Sequence, residues 1–156
     1  MQQVLVVLVN LTFACPGTLH AWRYTLLTPR ESTFFYLQVW RFVGAADSGE
    51  MVRVGSSRID VAASSSPAEG TDTIHYLDTS EQFPVEVGDF LGVFTLLGSQ
   101  DVPIPSRRFS DLPGQFRTEA HVFQVTNGVL PTSLTLSEGI GYEDNVGVNL
   151  HGVTGR

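Results

Sequence analysis

The run TFFYLQVWRFV, residues 33–43, constrains the fold of this chain more than any other stretch. It is β-branched and aromatic, a composition that suits extended backbone. Side chains of a strand alternate between its two faces. Phe35, Leu37 and Val39 therefore fall on one side, and Phe34, Tyr36, Trp40 and Phe42 on the other, with Gln38 among them. A strand apolar on both faces is central in its sheet or has a second layer over it. Stacked sheets are the first expectation.

The rest of the chain agrees with it. Ten Phe and fifteen Gly favour strands and turns, and no stretch carries an amphipathic helical period of useful length. Eight to ten short runs, separated by turn-forming residues, predict an all-β fold: an antiparallel β-sandwich. With 156 residues the chain suits one domain spanning 1–156, and both ends look like the cut ends of a module of a longer protein. TLHAWRYTLL (18–27) alternates, with His20, Trp22, Tyr24 and Leu26 as its core face. MVRVGSSRIDV (51–61) reads as a strand pair or one strand bulged at Gly55. Residues 98–119, rich in proline, form the longest irregular stretch. GYEDNVG (141–147) reads as an acidic turn.

The N-terminal residues MQQVLVVLVNLTFACPG admit two readings. Residues 4–14 have the apolar character of a signal segment, but no basic residue precedes them. The alternative is a strand with Val7, Val9, Leu11 and Phe13 inward and Leu8, Asn10 and Thr12 outward, and the alternation favours it. Asn10-Leu11-Thr12 is also an N-glycosylation sequon, which makes Asn10 a candidate modified residue. The one cysteine, Cys15, has no intrachain partner, and no cluster of cysteine and histidine suggests zinc.

In FPVEVGDFLGVF, residues 83–94, Gly88-Asp89 is a turn signal between two strands. Gly92 lies within the second strand, on the face opposite Leu91 and Val93, where it leaves room for a neighbouring side chain. Both glycines are read as architecture, at a corner where the chain changes direction.

The order of these features resembles β-sandwich modules of large extracellular proteins of invertebrate animals. The matching residues are Cys15-Pro16-Gly17, Trp22, Val39-Trp40-Arg41, and Val85-Glu86-Val87-Gly88-Asp89-Phe90-Leu91-Gly92, within residues 10–97. The resemblance implies an extracellular or cell-surface location and a jelly-roll-like sandwich. Its motifs are structural, and it implies no active site.

The formal charge is −7, and the chain has no lysine. Nine scattered arginines against sixteen acids leave no footprint for nucleic acid, and no segment suggests membrane insertion. His20, His75, His121 and His151 are far apart and fit no metal or catalytic spacing; no nucleophile elbow or phosphate loop is present. Glu143, Asp144 and Asn145 are oxygen ligands of the type calcium takes, but three adjacent residues do not complete a coordination shell. No cofactor, metal or enzymatic activity is expected. Two candidate ligand-binding surfaces remain. Tyr36 and Trp40, on one strand face, would form a stacking platform where exposed. Arg107, Arg108 and Phe109, in the long loop, would grip carboxylates or sulfated sugars. The expected function is non-enzymatic recognition or adhesion, with a glycan or an extracellular protein as partner. A structural spacer or self-assembly domain without its own ligand is the alternative, and a hydrolase on a jelly-roll scaffold the least favoured.

Overall fold

The computed structural model describes residues 2–25, 33–45, 47–61, 72–97, 106–108, 118–125, 130–144, 146–148 and 150–155. These form an all-β, antiparallel sandwich. The larger sheet runs, in spatial order, β10 (Ser133–Thr135), β4 (Glu50–Val61), β3 (Thr33–Phe42), β7 (Phe90–Leu97), β1 (Gln2–Thr12), β9 (Thr118–Val125) and β11 (Ile140–Asp144). The second sheet places β2 (Gly17–Thr25) between β13 (Leu150–Gly155) on one side and β5 (Asp72–Tyr76) on the other. β6 (Phe83–Val85) also pairs with β2, at its first residues. β8 (Ser106–Arg108) and β12 (Val146–Val148) make a two-stranded ribbon. Among the described residues no helix is long and apolar enough to cross a membrane.

The strands number thirteen among the described residues, against the eight to ten expected. Within GYEDNVG the residues through Asp144 belong to β11 and those from Val146 to β12, and the long irregular stretch contains β8. MVRVGSSRIDV belongs to the single strand β4, bulged where it faces Val39 and Trp40.

β3 lies inside the larger sheet, between β4 and β7; one face is covered along its length and the other is covered at Gln38 and Trp40, with Phe34 and Tyr36 half-buried and Phe42 exposed. Phe35, Leu37 and Val39 face the second sheet. There they join Leu8, Ile59, Leu91 and Val93 of the larger sheet with Leu19, Trp22, Tyr24, Val85 and Leu150 of the smaller one. The Trp22 indole N–H donates across the two layers to Ser57 Oγ at 2.9 Å.

Trp40, on the other face, joins a second cluster with Leu5, Val7, Met51, Phe90, Phe94 and Phe123. Leu134 of β10 and Val125 of β9 pack on this same cluster, although four strands separate β10 from β9 in the sheet. The larger sheet therefore curls, and the second cluster fills its concave side.

Two bulges change which residues face inward, and sequence alternation missed both. The β1–β7 ladder steps from Leu8 opposite Leu91 directly to Thr12 opposite Phe90. Val6 and Leu8 thus face the inter-sheet core before the bulge, and Leu11 and Phe13 face it after. Leu8, expected outside, is buried, while Val7 and Val9 turn to the concave cluster. In β2 the ladder to β13 skips His20, so Leu19 enters the core together with Trp22 and Tyr24. The His20 ring instead lies against Gly155 and bonds Gln82 Oε1 at 3.1 Å. Cys15, in the turn after β1, is exposed.

Candidate functional site

The hairpin of β3 and β4 assembles the most distinctive exposed group of side chains. Its turn closes through Val43 N–H donating to Glu50 O at 2.8 Å, and Trp40 then pairs with Arg53. One bulged residue, Val54, shifts the register, so Arg58 comes opposite Tyr36 and Asp60 opposite Phe34. These four residues sit on the concave side of the curled sheet, beyond the buried aromatic cluster.

Arg58 connects them. Its Nε donates to Asp60 Oδ1 at 3.0 Å, and its guanidinium lies 4.1 Å from the Phe34 ring centroid. It is also the cross-strand neighbour of Tyr36. The bond to Asp60 is the main cause that raises the Arg58 pKa, so the guanidinium stays charged. The Tyr36 ring is half-buried, edge-on to Phe34 at 6.1 Å and to buried Phe94 at 6.0 Å. Arg58 and Asp60 reach solvent, with side chains 51% and 69% exposed. The result is an aromatic edge, a cation and an anion held together by their own contacts. An aromatic face binds apolar C–H groups, and the charged pair offers a donor beside an acceptor.

The sequence-predicted residues divide at this site. Tyr36 belongs to it. Trp40 does not: it is fully buried, and its indole N–H donates to Gln38 Oε1 at 3.0 Å. Gln38 is buried as well and passes the bond on to Ser56 Oγ at 3.2 Å. An exposed platform of Tyr36 with Trp40 is therefore corrected, because Gly92 opens a pocket in the sheet that takes the indole in. Arg107 and Arg108 form part of β8, paired with Gly147 and Val146. Phe109 lies outside the described residues, as does Asn145. Glu143 and Asp144 are in β11. Asn10 is exposed, in the bulged part of β1.

Phe34, Arg58 and Asp60 were missed in the sequence. The signal was the register of the hairpin: counting back from the GAADSGE turn brings Arg58 near Tyr36, but only once a bulge is allowed. No group of three or more His, Cys, Asp or Glu that could hold a metal ion occurs among the described residues.

Comparison of the chain with protein-family models, with curated proteins and with solved structures finds no match.

Proposed function

We propose that this domain is a non-enzymatic recognition module of an extracellular protein, and that it binds a glycan at Phe34, Tyr36, Arg58 and Asp60. The observation that carries the reading is the Arg58 guanidinium, stacked on Phe34 and bonded to Asp60 beside Tyr36 while half its surface stays in solvent. A sugar ring presents an apolar C–H face and a hydroxyl edge, and this array offers a partner to each. The side chains are already held in place, so less ordering opposes binding. The extracellular setting is supported by the resemblance of the 10–97 segment to sandwich modules of large extracellular proteins.

A glycan array with the purified domain tests this. Tyr36→Ala and Arg58→Ala should each weaken binding at least tenfold without unfolding the protein. Binding that survives both substitutions, or no binding to any glycan, would remove the reading.

The second reading, self-assembly without a ligand, has one observation in its favour. Ile74, Tyr76 and Val153 are 47%, 75% and 40% exposed on the outer face of the second sheet. Tyr76 and Val153 flank Ala21 from opposite sides. Apolar groups gathered in this way often mark contact surfaces. A sedimentation coefficient that rises with concentration, and stops rising in Tyr76→Ser, would favour association of copies through this face; a concentration-independent value would count against it.

A further inference from the structure

The Asn10-Leu11-Thr12 sequon spans the bulge of β1. The ladder to β9 ends at Leu8 opposite Ala120, and the ladder to β7 resumes only at Thr12. The bulge separates the roles of the three residues: Leu11 packs toward the inter-sheet core, while Asn10 and Thr12 are exposed. Asn10, Leu11, Thr12 and Phe13 also wall a cleft of about 230 Å³, closed from the other side by Leu91, Leu150 and Gly152. Its lining combines apolar residues with Asn10 and Thr12, and its volume has space for a single sugar ring.

We infer that Asn10 is an N-glycosylation acceptor and that the first sugar of its glycan seats in this cleft. The inference rests on the extracellular setting proposed above, because the sugar donor, a lipid-pyrophosphate-linked oligosaccharide, belongs to the secretory route. The Asn10 side-chain nitrogen forms a bond to the anomeric carbon of that donor. The bond from this carbon to the pyrophosphate oxygen breaks, the lipid pyrophosphate leaves with the electron pair, and the amide releases one proton. Thr12 supplies the hydroxyl that the acceptor motif requires. The apolar ring face and acetamido methyl of the first sugar then cover Leu11 and Phe13, which are only partly buried.

The test is expression of the full chain behind a secretion leader in a eukaryotic host, followed by intact mass measurement. The expected result is added mass that an amidase specific for N-glycans removes. It should vanish in Asn10→Gln and Thr12→Ala and persist in Thr12→Ser. Trimming the glycan to one sugar should leave a protein that melts a few degrees above Asn10→Gln. Secreted, folded protein without the added mass would overturn the acceptor role. A one-sugar form melting no higher than Asn10→Gln would overturn the seat in the cleft. A glycosylated protein that binds no glycan ligand would remove the recognition reading and leave this inference standing.

Discussion

Arg41 and Asp89, 48 residues apart in sequence, form a bidentate ion pair, with Nε to Oδ1 at 2.7 Å and Nη2 to Oδ2 at 2.8 Å. Asp89 is 1% exposed. Its Oδ2 also accepts the Glu86 N–H at 2.8 Å, which closes the turn that Gly88 enters at φ +91°. The Asp89 carbonyl accepts the Phe13 N–H, and the Phe13 carbonyl accepts the Gly88 N–H. One acid thus ties the corner before β7 to the end of β1 and to β3. The Trp-Arg and Gly-Asp motifs of the sequence are two halves of one fastening.

Removing either half should cost stability in a coupled way. Asp89→Ala leaves the Glu86 N–H without its acceptor and Arg41 with only the Glu86 carboxylate, at 3.5 Å, and Arg41→Ala leaves a buried carboxylate without its counterion. Each should destabilise by about 2–4 kcal/mol, somewhat less than the roughly 3–5 kcal/mol of a fully buried pair, because Arg41 is partly solvated. The double variant should lose less than the sum of the single losses. Urea unfolding of the four proteins checks this, and strict additivity would show that the pair contributes no coupling.

The two glycines of the same segment should respond to alanine for different reasons. A Cβ at Gly92 would stand 2.9 Å from Trp40 Cδ1 and 3.0 Å from its Nε1, and the indole is fully enclosed and hydrogen-bonded. Overpacking of this kind costs about 1–3 kcal/mol. Gly88 has open space around its Cβ position, so Gly88→Ala meets only the strain of positive φ, about 1 kcal/mol. Thermal melting should rank Gly92→Ala below Gly88→Ala. The reverse order would mean that the turn, and not the indole pocket, is the tighter constraint.

What the sequence disclosed and what it hid follow from the range of the interactions involved. The two-sided apolarity of β3 is local, and it placed that strand inside the sheet with a buried cluster against each face. The Gly88-Asp89 corner is local too, and Gly92 does make room for a neighbouring side chain. The inward faces of β1 and β2 are not local. They depend on bulges opposite β7 and β13, and alternation counted along one strand cannot register a residue that its partner skips. The Phe34, Tyr36, Arg58 and Asp60 group was hidden for the same reason, since the bulge at Val54 determines which residue of β4 meets Tyr36. Trp40 was ambiguous because the composition of its strand left open which face of β3 would be more deeply covered. The buried chain of Trp40, Gln38 and Ser56 explains why a glutamine tolerates that interior position.

Alkaline stability should depend on Tyr24. Its ring packs edge-on to Phe35 at 5.7 Å, and burial pushes the phenol pKa above its ordinary value of about 10. Between the unfolded and folded values the unfolded chain binds fewer protons, so unfolding becomes easier as pH rises. The contribution is complete below about pH 10 and is lost as pH climbs through the folded value. Tyr24→Phe keeps the edge contact and removes the ionisable group. Its urea midpoint should therefore fall less between pH 9 and 11, roughly the span around the ordinary phenol value, than that of the natural chain. Equal slopes would show that Tyr24 ionises as readily folded as unfolded.

The bond between Trp22 and Ser57 joins the two layers, and its removal should be felt in both. Both residues are buried, and Ser57 Oγ accepts the indole N–H at 2.9 Å. Ser57→Ala leaves that N–H in an apolar interior without a partner, at a cost of about 1–3 kcal/mol. Trp22→Phe removes the donor together with the bulk of the indole, and large-to-small changes in a core add a cavity term. The two changes combined should cost less than their sum, since the second no longer strands a donor. Trp22 and Trp40 are both fully enclosed, so tryptophan emission in the natural chain should be blue-shifted and resistant to acrylamide. Ser57→Ala should keep that spectrum while lowering the urea midpoint. A red-shifted, quenchable spectrum in Ser57→Ala under native conditions would mean that the hydrogen bond, and not the packing of the layers, holds the indole inside.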